Sequence, residues 1–315
     1  MPKNICIYSG SAHPQLSRDI AAYLGVPLGK INLTRFPDGE TFCQYEENVR
    51  RADVFIIQPT CAPTNDHLME LLIMLDAAKR ASAARVTAVL PYYGYARQDR
   101  KDRPRVPISA KLVANLITVA GANRIIAMDL HSQQIQGFFD IPVDHLYARP
   151  VLSPYLHQKL GSDVVVVSPD SGSVKMAQLY CDSLDAGLAV IAKRRISATA
   201  VATSHLVGDV KGRTCVITDD MSSTAGTLCS AANKLKEEGA AKVFAAISHC
   251  VLNDEGYTKL AANKSIEELI VTDSIPVENT LDGRIKVLSV APLLGEAIKR
   301  IHEGISISTL FRIKK

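Results

Sequence analysis

The sequence predicts an α/β protein that contains two parallel-sheet domains of similar design. Short apolar runs rich in β-branched residues alternate with longer stretches of helical periodicity along the whole chain. This alternation begins again after about residue 146, and 315 residues are enough for two domains of ordinary size. We therefore predict a first domain over residues 1–146 and a second over residues 147–315.

The first half supplies five predicted strands and three predicted helices. The strands lie at residues 4–8, 31–36, 54–57, 86–90 and 124–128, and the helices at 14–24, 66–84 and 109–120. A turn follows the second strand at residues 37–40, because Pro37 fixes φ and Gly39 permits positive φ. Residues 138–147 are predicted to form a connector.

The second half repeats the pattern after a helix that opens at Pro150. Strands are predicted at 164–167, 188–192, 216–218, 243–247 and 268–271, and helices at 174–183, 228–239 and 290–302. Residues 196–205 are rich in Thr, Ser and Ala with few apolar anchors, a composition typical of a mobile lid. Residues 305–311 are predicted to form a final strand or arm.

Composition narrows the functional class. The net charge is +4 with both signs interspersed, so no broad nucleic-acid-binding surface is expected. Seven cysteines without regular spacing indicate reduced thiols and a cytoplasmic protein. The amino terminus does not resemble a signal peptide, and no apolar run reaches the ~18 residues of a membrane-spanning helix.

Residues 215–227 are the strongest candidate for a ligand-binding loop. A β-branched run leads to Asp219 and Asp220, and a stretch of small and hydroxylic residues then precedes a helix. Backbone N–H groups at a helix start attract phosphate, hydroxyl groups add donors, and the acidic pair can accept hydrogen bonds from sugar hydroxyls. The alternative is an ordinary strand-to-helix turn whose Ser and Thr residues cap the helix.

Two further polar segments follow predicted strand ends. Residues 97–105 contain five cationic residues and two aspartates directly after a strand, where α/β sheets bind ligands. Arginine forks there suit a polyphosphate, although a solvated loop with internal ion pairs is the alternative. Asp129 and His131 end another strand and suggest a metal or phosphate contact, although a lone histidine is more often structural.

Several separated motifs together resemble the ribose-phosphate pyrophosphokinase family of the phosphoribosyltransferase superfamily. The motifs span nearly the whole chain and lie at residues 36–40, 92–99, 107–115, 129–131, 134–139, 168–170, 193–195, 219–227 and 306–311. The resemblance implies two tandem phosphoribosyltransferase-type domains, each a mostly parallel sheet flanked by helices, assembled into homohexamers. It also implies Mg²⁺-dependent transfer of the β,γ-diphosphoryl group of ATP to the C1 hydroxyl of ribose 5-phosphate, for nucleotide biosynthesis.

The resemblance assigns substrate-binding roles to three groups of residues. The adenine-binding turn, which the family takes from a neighbouring subunit, corresponds to Phe36, Asp38 and Glu40. The ATP contacts correspond to Arg97, Gln98 and Asp99. The ribose-5-phosphate site corresponds to Asp219, Asp220, Ser223, Thr224, Ala225, Gly226 and Thr227.

The remaining implied roles concern catalysis, metal and regulation. His131 and Asp170 resemble the Mg²⁺-site residues, and Lys193 and Arg195 resemble the catalytic pair. A phosphate or ADP regulatory site would include Arg50, Ser82 and Ser308.

One departure from the family pattern keeps alternatives open. The family usually has an acid where this chain has Ser223, just before Thr224. This change supports a catalytically silent regulatory homologue, against which the intact Lys193 and Arg195 argue. A true phosphoribosyltransferase is a further alternative, disfavoured by the basic segment and the doubled domain.

Overall fold

The computed structural model describes residues 4–194 and 203–311, which divide into two compact units. The first unit contains the chain up to Tyr147, residues Ser274–Pro276, and the described chain from Ser289 onward. The second unit contains Ala148–Asp273 and Val277–Leu288. The chain passes from the first unit to the second between Tyr147 and Ala148, beside the predicted domain boundary at 146. Residues 289–311 were predicted to lie in the second domain but pack in the first unit.

The first unit is built on a five-stranded parallel sheet of order β1-β4-β5-β6-β7. These strands are β1 (Ile5–Ser9), β4 (Asp53–Ile57), β5 (Arg85–Leu90), β6 (Arg124–Met128) and β7 (Val143–Leu146). An antiparallel hairpin of β2 (Ile31–Arg35) and β3 (Thr41–Tyr45) forms a separate two-stranded sheet. The helices are α1 (Pro14–Leu24), α2 (Thr64–Arg80), α3 (Ser109–Ala120) and α8 (Ala291–Glu303).

The second unit is built on a seven-stranded sheet of order β10-β9-β8-β11-β12-β13-β14. These strands are β8 (Val164–Ser168), β9 (Gly187–Arg194), β10 (Thr203–Val207), β11 (Thr214–Ser222), β12 (Lys242–Cys250), β13 (Leu269–Thr272) and β14 (Ile285–Leu288). Only β10 runs antiparallel to its neighbour. The helices are α4 (Arg149–Leu160), α5 (Val174–Leu184), α6 (Gly226–Glu237) and α7 (Asp254–Ala262).

The central strands are apolar because helices cover both faces of a parallel sheet. Every residue of β4 and of β8 is buried, as the apolar runs at 54–57 and 164–167 predict, and the burial extends to Asp53 and Ser168. This architecture confirms the predicted α/β class with mostly parallel sheets flanked by helices. Among the residues that the structure describes, no helix combines the length and apolar character needed to cross a bilayer.

Five strands and α-helices have no counterpart in the sequence-based prediction. Strand β7 lies in the predicted connector, β10 overlaps the end of the predicted lid, and β3, α7 and β14 were not predicted at all. Helix α2 ends at Arg80 rather than residue 84, because Ser82 has a left-handed φ of 64°. Residues 308–311 form a 3₁₀ helix, not the predicted strand or arm. Residues 195–202, which include most of the predicted lid, lie outside the described residues, and Thr203–Val207 belongs to β10.

A buried carboxylate in β4 connects helix α8 to the parallel sheet of the first unit. Asp53 is fully buried and accepts hydrogen bonds from Arg85 Nε at 2.7 Å and from His302 Nδ1 at 2.8 Å. The guanidinium of Arg85 also donates to the carbonyl of Ile301 at the end of the helix, at 3.1 Å. Three polar groups from three elements therefore satisfy one another at a site that water reaches poorly.

We expect Asp53→Ala to lower the free energy of unfolding by about 3 kcal/mol, because Arg85 and His302 lose their shared acceptor. Denaturant unfolding followed by circular dichroism measures this change. The matched control is Asp163→Ala, which breaks a more exposed ion pair with Arg213 and should cost less than about 1 kcal/mol. Equal losses of unfolding free energy in the two variants would show that the buried carboxylate stabilises the protein no more than an exposed ion pair does.

Candidate active site

The strand register brings two predicted acidic residues to one edge of the second sheet. Strands β8 and β11 are parallel neighbours, and Ile217 pairs with Val167. Asp170 lies three residues after Val167, and Asp219 lies two residues after Ile217. Both carboxylates therefore lie at the carboxyl ends of adjacent strands, where open α/β sheets bind their ligands.

Asp170 organises the loop that leads into α5. Its Oδ1 accepts hydrogen bonds from the backbone N–H of Gly172 at 2.8 Å and of Ser173 at 3.1 Å. The hydroxyl of Ser168 donates to the Asp170 carbonyl at 2.7 Å. One carboxylate oxygen thus holds the loop, and the other is the oxygen through which Asp170 can contact a ligand.

Asp219 lies inside β11, not after its end as the sequence suggested. The strand runs on to Ser222 because β12 continues to pair with it, up to Ser222 with Cys250, beyond the last β8 partner at Ile217. Asp219 Oδ1 accepts hydrogen bonds from Ser173 Oγ at 2.9 Å and from the Asp220 N–H at 3.0 Å.

Burial and neighbouring negative charge perturb this acid. Desolvation, the charge of Asp220 and then that of Asp170 raise the pKa of Asp219 from 3.8 to about 7, against the hydrogen bonds from Ser173 and from the Asp220 N–H. The carboxylate therefore changes its charge near neutral pH. A perturbed acid at a strand end is a typical feature of a functional site.

The loop after Asp220 presents donors at the start of α6. Ala225 is buried and takes a left-handed φ of 53° immediately before the helix begins at Gly226. Its neighbour Thr224 is exposed. The carbonyl of Ser223 accepts the N–H of Asn253 at 3.0 Å, which ties the loop to the N-cap of α7. The arrangement suits a phosphate, which binds helix N-terminal N–H groups and hydroxyls.

In the first unit, the basic segment is connected to α3 and to the segment after β6. Gln98 accepts a short hydrogen bond from the Ser109 hydroxyl, and its backbone carbonyl accepts the N–H of Ala110 at 3.1 Å. Asp99 Oδ2 accepts from Gln134 Nε2 at 3.4 Å. The exposed Arg97 immediately precedes the anchored Gln98 in the chain.

The predicted adenine-binding residues lie on the turn between β2 and β3. The turn is closed by hydrogen bonds from Phe36 N to the Glu40 carbonyl and from Gly39 N to the Phe36 carbonyl, both 2.8 Å long. Glu40 N donates to Asp38 Oδ1 at 3.2 Å. The Phe36 ring is 49% exposed, which is unusual for phenylalanine and leaves a face for stacking.

The other predicted residues are spread over both units. His131 is exposed after β6 in the first unit, whereas Asp170 belongs to the second. Arg50 and Ser82 lie on neighbouring turns, which the hydrogen bond from Arg51 N to the Ser82 carbonyl joins at 2.9 Å. Ser308 lies in the 3₁₀ helix, within hydrogen-bond distance of Ser306.

The predicted catalytic pair sits at the edge of the described chain. The backbone of Lys193 belongs to β9, opposite Ser204 in β10. Arg195 lies outside the described residues. The lysine thus belongs to the strand beside β8, the strand that leads to Asp170.

Sequence reasoning missed Ser173 and Asn253. Ser173 follows Asp170 by three residues at the start of a helix, a spacing that signals a turn in which an acid accepts backbone N–H groups. Asn253 followed by two acidic residues is a helix N-cap signal that α7 bears out.

The carboxylate oxygens at the carboxyl ends of β8 and β11 fit a hard divalent cation whose other ligands are waters and substrate phosphates. Within the described ranges, no group of three or more His, Cys, Asp or Glu side chains could hold a metal ion. Mg²⁺ keeps several waters and binds through one or two carboxylates plus substrate phosphates. Asp170, with one oxygen in use, and its acidic neighbours are compatible with that pattern.

Comparison with known proteins identifies matches along nearly the whole chain. Residues 5–121 match the N-terminal domain of ribose phosphate pyrophosphokinase, and residues 195–312 match the phosphoribosyl synthetase-associated domain. The ribose-phosphate pyrophosphokinase of Synechococcus elongatus is 53% identical over 308 residues, with 97% of this chain and 93% of that protein covered. The Burkholderia pseudomallei protein of the same name is 52% identical, with 98% and 97% covered.

A solved structure supports the same relationship. Phosphoribosylpyrophosphate synthetase from Mycobacterium smegmatis superposes with a TM-score of 0.91 at 46% sequence identity, covering 96% of this chain and all of that one. Sequence and fold thus agree over both units. The chain belongs to the ribose-phosphate pyrophosphokinase family.

Proposed function

We propose that this protein transfers the β,γ-diphosphoryl group of ATP to the C1 hydroxyl of ribose 5-phosphate, giving phosphoribosyl diphosphate and AMP. The observation that carries the proposal is identity above 50% to curated ribose-phosphate pyrophosphokinases over 97% of the chain. The acidic pair and the hydroxyl-rich loop at the edge of the second sheet support it.

The second unit would bind the sugar phosphate. Asp219 and Asp220 would accept hydrogen bonds from the sugar hydroxyls. The phosphate would be bound by hydroxyl and N–H groups of Ser223, Thr224, Ala225, Gly226 and Thr227. Because Ala225 is buried in a left-handed conformation, the loop is held in shape before ligand arrives, which lowers the entropic cost of binding.

The first unit would bind ATP. Arg97, Gln98 and Asp99 would contact the nucleotide, with Arg97 holding phosphate oxygens. The exposed Phe36 with Asp38 and Glu40 would receive the adenine of a neighbouring subunit in a hexamer. This division assigns ATP binding to residues 1–146 and ribose 5-phosphate binding to residues 147–315.

Chemistry would depend on charge neutralisation more than on covalent catalysis. His131 and Asp170 would hold Mg²⁺, which supplies positive charge to the phosphate oxygens when it is bound. Lys193 and Arg195 would stabilise the negative charge that develops on the transferred group.

Regulation and assembly extend the proposal. Phosphate and ADP would act as effectors at a site that includes Arg50, Ser82 and Ser308. The joined turns of Arg50 and Ser82, where both Arg51 and Ser82 have positive φ, support a specific role for this region. We place the protein in the cytoplasm as a homohexamer that binds neither nucleic acid nor membrane.

The test is AMP formation from ATP, with and without ribose 5-phosphate, at saturating Mg²⁺ and in the presence of phosphate. We expect AMP only with the sugar, matched one to one by phosphoribosyl diphosphate. Formation of ADP in place of AMP would overturn the diphosphoryl assignment.

Ser223 favours one second candidate, a regulatory homologue without turnover. Such a protein would bind ATP and ribose 5-phosphate but form no AMP, because the acid usual at this position is missing. Binding by calorimetry together with absence of AMP would establish this alternative.

A further inference from the structure

Ser173 contacts both acidic residues at the edge of the second sheet. Its hydroxyl donates to Asp219 Oδ1 at 2.9 Å, and its backbone N–H donates to Asp170 Oδ1 at 3.1 Å. Asp170 lies in the loop after β8 and Asp219 lies in β11, 49 positions apart in the sequence. A single residue thus connects the loop after β8 to the acidic pair in β11.

Among the described residues, the Ser173 hydroxyl donates no hydrogen bond other than the one to Asp219. Ser173 is the N-cap residue of α5, yet its side chain makes no capping hydrogen bond to the helix. The backbone of Ser173, not its side chain, contributes to the start of α5, because its carbonyl accepts the N–H of Ala177 at 2.9 Å. Removing the hydroxyl alone would therefore leave the turn and the helix start in place.

The hydrogen bond fixes the orientation of a carboxylate that has little other support. Ser173 Oγ and the Asp220 N–H both bind Oδ1 of Asp219, which sets the plane of the carboxylate and directs Oδ2 away from these donors. Among the described side chains, Ser173 alone donates to Asp219. The other close groups are the like charges of Asp220 and Asp170, which repel the carboxylate.

We propose that Ser173 is a positioning residue that holds Asp219 with Oδ2 available to a hydroxyl group of the sugar substrate. This inference rests on the proposed function and adds to it a residue outside the 219–227 loop. Ser173 acts through Asp219 and need not contact the substrate. Since its N–H also binds Asp170, the same residue keeps the spacing between the sugar-binding acid and the proposed metal-binding acid.

The test compares Ser173→Ala with the wild-type enzyme in the AMP-forming assay. We expect the KM for ribose 5-phosphate to rise about tenfold, the loss typical of one hydrogen bond to a charged group. The KM for ATP should stay within about twofold. The melting temperature should stay within about 2 °C, because the hydroxyl does not cap the helix.

Two variants separate positioning from general damage. Ser173→Thr keeps the hydroxyl and should restore the KM for ribose 5-phosphate to within about threefold of wild type. Ser171→Ala removes an exposed hydroxyl from the same loop and should change no constant. Calorimetric titration of ribose 5-phosphate without ATP should show the same order of affinities.

The outcomes distinguish this inference from the proposed function. If wild type forms AMP with the sugar and Ser173→Ala has an unchanged KM for it, the positioning role is overturned and the function stands. An equal rise in both KM values, or no rescue by threonine, would also overturn it. If wild type neither binds nor converts ribose 5-phosphate, the function falls and the role of Ser173 with it.

Discussion

Replacing Lys193 with alanine is expected to lower kcat by two to three orders of magnitude with little change in the KM for ATP. Residues that stabilise transition-state charge contribute ~3–4 kcal/mol each when removed, and their loss appears in kcat because the interaction strengthens in the transition state. The backbone position suits this role: β9 pairs with β8 up to Val190 opposite Ser168, and Lys193 lies three residues beyond that pair. Initial rates of AMP formation at varied ATP measure both constants.

Lys242→Ala is the matched control for this prediction. Lys242 is exposed at the first position of β12, at the opposite edge of the sheet from the acidic pair. Its removal should leave kcat and both KM values unchanged. A large increase in the KM for ATP at near-normal kcat for Lys193→Ala would instead assign this lysine to substrate binding.

Asp219→Asn is expected to weaken ribose 5-phosphate binding more than tenfold while making the protein more stable above pH 7. One acceptor oxygen becomes an amide donor, so a sugar hydroxyl loses its partner. At the same time the substitution removes a partly buried negative charge that lies beside Asp220 and near Asp170. Ligand affinity and stability should therefore change in opposite directions.

The pH dependence follows from the direction of the pKa shift. The pKa of Asp219 is raised in the folded protein, to about 7, so between about pH 4 and 7 the native state binds more protons than the unfolded state. The free energy of unfolding of wild type therefore falls as pH rises through this window. After a discount for partial solvent screening, we expect Asp219→Asn to gain ~1–2 kcal/mol at pH 8 relative to its difference at pH 4.

Thermal unfolding of both proteins at pH 4 and pH 8 tests this expectation. Asp182→Asn, which changes an exposed aspartate on α5, should show no pH-dependent gain. A constant difference between wild type and Asp219→Asn at the two pH values would mean that Asp219 ionises normally.

The sequence was sufficient for elements whose apolar pattern is continuous. Strand β8 and helices α1 and α3 were placed within one residue at each end, because burial on a parallel sheet demands uninterrupted apolar runs or a clear helical stripe. Strand β7 escaped prediction because Pro142 precedes it and two of its four residues, Asp144 and His145, are polar. Helix α7 buries only Gly256 and Leu260, so its apolar stripe is too sparse to recognise.

Some features of the candidate site could likewise be predicted from the sequence and others could not. Acidic and basic residues at strand ends were visible from their position, since strand ends define where α/β sheets bind ligands. Their partners were not visible: the contact of Ser173 with Asp219 depends on the adjacency of β8 and β11, which no local pattern encodes. The length of β11 likewise depends on its pairing with β12.

The attachment of α8 also determines when the first unit can be completed during synthesis. Gly295 of this helix lies so close to Tyr23 that an added Cβ would meet the ring at 2.4 Å, and His302 is the second donor to Asp53. A ribosome must therefore translate the entire second unit before Asp53 gains all its partners, although amino-terminal domains usually fold first. A fragment ending at Tyr147 would lack His302 as a donor to Asp53 and would leave uncovered the surface of α1 that α8 packs against. We therefore expect the amino-terminal half to need the carboxyl-terminal helix, supplied in the same chain or as a separate peptide.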